Sequence, residues 1–224
     1  MKVSIITVPS RSQSLRRLVH TFSLCKKIDQ ITIHVDHEYQ GPWFNTKQAL
    51  IEIQKSDNPV LIAQDDIKPI PAVIDAHIDD LSNAVNDKYG LISLFSPPRK
   101  EYQEIKEQGF HGFDDNNFLW AQFYMICPKF ASDVLQYDKL LNQGKVKYHD
   151  EVRFRFAAQR TGKRIITLCD SFARHDLEVK STLGTPSKIG SVVRDTKSTA
   201  TKEQSFKNLR LKKRNSSNDE KFAK

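Results

Sequence analysis

The chain has 224 residues, 38% of them hydrophobic, and a formal net charge of +8. That length supports one well-filled core with a tail, and no apolar run approaches the roughly 20 residues a membrane-spanning helix needs. Cys25, Cys127 and Cys169 lie far apart beside apolar neighbours, which argues against a disulfide framework or a zinc site and for buried thiols in a reducing cytoplasm.

Residues 2–8 read as a first strand, entered directly without a signal-peptide layout and broken by Pro9, Ser10 and Arg11. Leu15, Leu18, Val19 and Phe22 recur at helical spacing, so a helix is predicted from Ser12 or Ser14 with serine as its N-cap. Residues 31–36 form a second strand ending in Asp36, and 46–54 a helix with Ala49, Leu50 and Ile53 on one face. The apolar run 60–63 suits a strand buried on both faces; it ends in Gln64, Asp65 and Asp66, and Pro69 and Pro71 stop its continuation. A helix over 72–85 and a strand over 90–95 follow.

The polar stretch 99–117, with Gly109 and Gly112, predicts a surface loop. Then come a strand over 118–127, a helix opened by Pro128, and a turn at Asn142, Gln143 and Gly144. A helix opens at His149, Asp150 and Glu151 and ends near Gly162, followed by a strand over 164–169 and a loop over 170–184. Beyond it the composition predicts weak order, with a short helix near 202–213. The alternation implies an α/β fold with a mostly parallel sheet flanked by helices. The expected division is a domain over 1–184 and a basic tail over 185–224, which carries +7 of the net charge.

In an open α/β sheet, ligands gather at the carboxyl ends of the strands. Asp65 and Asp66 are therefore candidates to hold a divalent cation and, through it, a diphosphate. The same pair also suits a solvated turn that caps the next helix. A basic tail favours a polyanionic partner, or serves only to solubilise.

An ordered set of short signatures over residues 1–184 resembles the nucleotide-sugar-dependent glycosyltransferases of the GT-A fold. Val8-Pro9-Ser10-Arg11 is similar to the family's first strand and nucleotide-binding turn, and Asp36 stands where its members contact the nucleoside. Gln64-Asp65-Asp66 resembles the acidic metal motif, with Gln in the first position, so that Asp66 and Asp65 supply the carboxylates. His149-Asp150-Glu151 resembles the acceptor-side motif from which inverting members take their base. Ser171-Phe172-Ala173-Arg174-His175, followed by Ser181-Thr182-Leu183-Gly184, resembles a late segment whose His completes the metal site in several members.

The resemblance implies a metal-dependent, inverting glycosyltransferase with a GT-A-like fold. Pro9, Arg11, Asp36, Asp65 and Ser181 would meet the nucleotide sugar, a UDP-sugar being the expected donor. Asp66 and His175 would hold Mn2+ or Mg2+, the imidazole tilting the choice toward manganese. Asp150, or alternatively Glu151, would take the acceptor's proton. Some small viral members modify hydroxymethylated pyrimidines in DNA, and the cationic tail suits such an acceptor through salt-sensitive phosphate contacts. That reading places the protein in a host cytoplasm. A surface glycan or lipopolysaccharide acceptor neither requires nor excludes the tail.

Plainer readings stay open at this level. Asp150 suits a helix N-cap with Glu151 in the first turn, His175 a surface histidine, and Arg11 a local ion pair. Trp43 and Trp120 suit packing as well as sugar platforms, and His111 an acceptor lid without requiring one. Two other function classes compete: a two-metal nuclease built on Asp65, Asp66, Asp150 and Glu151, and a binding module in which these residues only cap and turn.

Overall fold

The computed structural model describes residues 1–96, 99–115, 121–141, 149–176, 178–179 and 198–213. Three parallel strands, β1 (Lys2–Thr7), β2 (Gln30–Val35) and β3 (Val60–Gln64), open the fold with β1 between the other two. Val3, Ile5, Leu61 and Ile62 are fully buried, as expected for strands covered on both faces. Helices α1 (Ser12–Ser23) and α2 (Pro42–Ile53) make the crossovers. Register sets Thr7 beside Val35 and Ile6 beside Gln64, so the three carboxyl ends lie level.

After Asp65 and Asp66 the chain leaves this sheet as β4 (Ile67–Pro69), then runs through α3 (Pro71–Ala84) and β5 (Tyr89–Ser93). Next come α4 (Lys100–Glu107), β6 (Gly112–Asp115), β7 (Phe123–Ile126), α5 (Pro128–Leu141) and α6 (Asp150–Thr161). The last elements are β8 (Arg164–Leu168), β9 (Ala173–His175) and β10 (Leu211–Lys213). Among the described residues the main sheet has the order β10-β6-β8-β5-β7-β3-β1-β2, and β4 and β9 form a separate ribbon. Four of the main sheet's ladders are parallel (β1/β2, β1/β3, β5/β8 and β6/β10) and three are antiparallel. The sheet is thus mostly parallel. Antiparallel β7 between β3 and β5 brings Phe123 opposite Ala63, which delivers the start of β7 to the carboxyl end of β3.

Several elements differ from expectation. Arg11, not a serine, occupies the N-cap position of α1, while Ser14 Oγ donates to the Asp65 carbonyl at 2.5 Å. The stretch expected as a loop holds α4 and β6, because Tyr102 and Ile105 bury against Phe113 and Cys169 in a small second cluster. Of the strand expected over 118–127, residues 123–126 form β7, 121–122 form a turn, and Trp120 lies outside the described residues. The expected turn at 142–144 also lies outside them.

The weak order and short helix expected at the C-terminal end are corrected for residues 198–213. Backbone N–H groups of Thr199 and Ala200 both donate to Ser171 O, Phe206 is 1% exposed, and β10 pairs parallel with β6. Phe206 sits 4.8 Å from the His77 ring and 5.4 Å from Phe172, so apolar burial recruits this segment into the body beyond the boundary expected at residue 184. His111, considered for an acceptor lid, instead accepts the Arg210 backbone N–H at Nδ1 and holds this strap. Residues 185–197 and 214–224, the rest of the basic tail, lie outside the described residues. No helix among the described residues is long and apolar enough to cross a membrane.

Candidate active site

Thr7 ends β1 and donates its hydroxyl to Asp65 Oδ2 at 2.5 Å, while Arg11 Nη1 reaches Asp65 Oδ1 at 2.5 Å. Asp65 is 1% exposed. Burial pushes its carboxyl upward, and the Arg11 charge and Thr7 hydroxyl offset part of that rise. Both Asp65 oxygens therefore have protein partners, and the residue turns inward to hold Arg11. Arg11 Nη1 also lies 3.8 Å from Asp66 Oδ2, so one guanidinium stands between the two neighbouring carboxylates. Pro9 is exposed in a short turn that closes when the Arg11 N–H donates to Val8 O at 3.0 Å.

Asp66 has a further neighbour in His175. Its Oδ2 is 3.6 Å from His175 Nε2 and 3.8 Å from Arg11 Nη1, and its Oδ1 is buried without a hydrogen-bond partner among the described residues. The ribbon explains the meeting: β9 sets His175 opposite Ile67, and the Asp176 N–H donates to Asp66 O at 2.7 Å. Asp176 is itself buried and takes Arg17 at 2.9 Å and Lys68 at 2.8 Å, which ties the ribbon to α1. His175 Nδ1 is likewise buried and unpartnered among the described residues.

No group of three or more His, Cys, Asp or Glu side chains that could hold a metal ion occurs among the described residues. Asp66 and His175 nevertheless make a two-donor set with an orphaned carboxylate oxygen. Those two side chains would suit a divalent cation such as Mn2+ or Mg2+ as part of its ligand set.

Asp36 follows β2 and is 1% exposed. Its N–H donates to Thr7 O at 3.0 Å, and its Oδ2 accepts the Gly41 N–H at 2.8 Å. The Gly41 φ of 109° lies in the region that favours glycine, so this turn back to Asp36 uses the residue's lack of a side chain. Asp36 Oδ1 is buried and has no hydrogen-bond partner among the described residues.

Asp150 is the first residue of α6, and His149, not Asp150, holds the N-cap position. Its Oδ2 accepts the Thr46 hydroxyl at 2.6 Å. Burial pushes the Asp150 carboxyl up to about 7, the Thr46 hydrogen bond opposing and Glu151 adding to the rise. Burial likewise raises Glu151. The fully buried Tyr124 phenol of β7 is pushed well up by burial and by the charges of Asp150 and Glu151.

Sequence reasoning did not find Asn45 and Thr46. They are polar residues on the α2 face that Ala49, Leu50 and Ile53 bury, and that break in an apolar face was the available signal. Asn45 Nδ2 donates to Thr7 O at 2.7 Å, so consecutive residues of α2 bind the end of β1 and the carboxylate of Asp150. Trp43 packs under a cation, with the Arg153 guanidinium 4.5 Å from its ring centre. Ser181 lies outside the described residues.

No protein-family model matches the chain, and no curated protein is similar to it in sequence. Its fold is similar to that of Staphylococcus aureus TarS (residues 1–349), with a TM-score of 0.52 and 11% identity. That likeness covers 77% of this chain and 60% of the TarS chain, so this chain spans less than two thirds of that structure. A putative glucose-1-phosphate thymidylyltransferase from Bacillus anthracis aligns with a TM-score of 0.46 and 11% identity, over 88% of this chain and 97% of that one. Drosophila β1,4-galactosyltransferase 7, solved with manganese, UDP-Gal and xylobiose, aligns with a TM-score of 0.42 and 12% identity, over 81% and 77%. The chain has a GT-A-type fold: an α/β body with a mostly parallel sheet flanked by helices.

Proposed function

We propose that the protein is a glycosyltransferase that moves a sugar from a nucleotide-sugar donor to a hydroxyl acceptor with inversion. One observation carries this reading. Two unlike acidic sites are tied to the same end of a GT-A-type sheet: Asp66 with His175 and Arg11, and the buried Asp150, linked through Asn45 and Thr46.

The roles follow from the chemistry of each group. Asp36, with one buried oxygen beyond β2 that has no partner among the described residues, suits the nucleoside, and a UDP-sugar is the donor we assign. Arg11 lies at the turn after β1, where its charge meets the diphosphate. Manganese or magnesium, when bound at Asp66 and His175, stabilises the negative charge that grows on the leaving diphosphate. The acceptor oxygen attacks the anomeric carbon and passes its proton to the Asp150 carboxylate. The bond from that carbon to the phosphate oxygen breaks, and its electron pair leaves with the nucleoside diphosphate. A carboxyl near 7 is matched to such a proton transfer at neutral pH, and general-base help is typically worth about 10²–10⁴-fold.

The acceptor we assign is a hydroxymethylated pyrimidine in DNA. Its support is the charge of the C-terminal chain, which in its described part carries Lys202, Lys207, Arg210, Lys212 and Lys213. The competing nuclease reading is weakened by Asp65, whose oxygens are engaged by Thr7 and Arg11.

Thermal stabilisation by nucleoside diphosphates and sugar nucleotides, with and without manganese, tests the donor site. A manganese-dependent rise with one nucleotide, lost in Asp66→Ala, is expected by mass action. No rise with any nucleotide overturns the proposal. Transfer to DNA carrying hydroxymethylated pyrimidines then tests the acceptor, and cleavage of DNA with magnesium alone favours the nuclease.

A further inference from the structure

Asp150 lies at the head of a helix, 5% exposed, and a base in that setting needs its carboxylate held in one orientation. The side chain that grips it is Thr46, whose Oγ1–H meets Asp150 Oδ2 at 2.6 Å inside the protein. A carboxylate with one oxygen held by a donor presents its other oxygen in a fixed direction. The preceding residue, Asn45, binds the carbonyl of Thr7, and Thr7 also holds Asp65 and through it Arg11. One turn of α2 therefore sets the base relative to the donor end of β1.

We propose that Thr46 is a positioning residue for Asp150, orienting its carboxylate so that Oδ1 receives the acceptor's proton. The inference rests on the transferase reading above. The hydroxyl–carboxylate bond favours the ionised form, against the burial that opposes it. Among the described residues, the other ionisable groups that act on Asp150 are Glu151 on the same helix and the Tyr124 phenol on β7. Neither is altered by a change at Thr46. Replacing threonine by valine keeps the shape and removes the donor, and serine keeps the donor.

Two measurements on the full chain test this. One is the pH titration of the Asp150 carboxyl by carbon-13 NMR, its signal assigned with Asp150→Asn. The other is the pH profile of nucleoside diphosphate release from a panel of sugar nucleotides with manganese. In Thr46→Val both midpoints should rise by roughly one pH unit, the worth of a hydrogen bond to a charged group. Release one unit below the wild-type midpoint should fall about tenfold with the donor KM unchanged, and Thr46→Ser should keep the wild-type profile. An Asp150 midpoint unmoved in Thr46→Val, in a protein that does release the diphosphate, overturns the Thr46 inference alone. A midpoint that moves in a protein that cleaves no sugar nucleotide overturns the transferase reading, and Thr46's part in the reaction with it.

Discussion

The carboxylate of Asp66 and the imidazole of His175 lie 3.6 Å apart because β4 pairs with β9 outside the main sheet. If they hold a metal ion together, each matters to its affinity, whereas Asp65 acts through Arg11. Asp66→Ala and His175→Ala should each weaken manganese binding by at least the roughly 10–100-fold that loss of a supporting partner costs. Asp65→Asn should weaken nucleotide binding more than manganese binding. Calorimetric titration of manganese, then of nucleotide, decides this; equal manganese affinity in wild type and His175→Ala rules out the pair.

Asp150 carries a stability consequence with a defined sign. Its ordinary value of 3.8 is raised to about 7 by burial, so between those pH values the folded chain holds a proton that the unfolded chain has released. This group's contribution to stability therefore falls as pH rises through that window, by as much as about 4 kcal/mol at its upper end. Asp150→Asn should abolish transfer yet stabilise the fold at neutral pH by up to that amount, with the gain vanishing toward about pH 4. Urea denaturation across pH is the check, and an Asn variant less stable than wild type at neutral pH contradicts the assignment.

Beneath this site Arg153 and Asp138 form a buried ion pair that joins α6 to α5, with Lys47 of α2 at 3.4 Å from Asp138. Asp138 is 1% exposed and Arg153 5%, so removing one partner takes a buried ion pair away from the other. Asp138→Ala should cost about 3–5 kcal/mol. The double replacement Asp138→Leu with Arg153→Met should cost clearly less than either single change, since the desolvation penalty leaves with the pair. A double-mutant cycle in chemical denaturation measures the difference.

Phe206 tests whether the C-terminal strap belongs to the fold. Its ring packs among His77, Phe172 and His111, so Phe206→Ala should lower unfolding stability by about 3–5 kcal/mol. A solvated tail would show no change. The same strap hydrogen-bonds Ser171, four residues before His175, so ending the chain at residue 197 should also weaken manganese binding. Thermal melts with and without manganese read both effects.

Apart from β4, the order of the strands and longer helices up to residue 96 was legible because its signals are local. Apolar runs mark β1 and β3, helical spacing marks α1, and carboxylates at the ends of the runs mark where the sheet opens. Asp66 stood out as a candidate for the same reason, and Asp150 through the likeness of His149-Asp150-Glu151 to an acceptor-side motif. The short pieces escaped: α4 buries only Tyr102 and Ile105, and β4 and β9 have three residues each, too few for a period to stand out. Nothing local distinguishes Asp65 from its neighbour Asp66. Thr7 and Arg11 claim one, and His175 approaches the other, only when β1, β3 and the ribbon are assembled. Thr46 reads as an ordinary polar residue of α2 until Asp150, 104 residues downstream, arrives beside it. Periodicity is written by near neighbours along the chain and so can be read from sequence. Which buried polar group meets which is decided by contacts between distant segments, and those exist only in the folded protein.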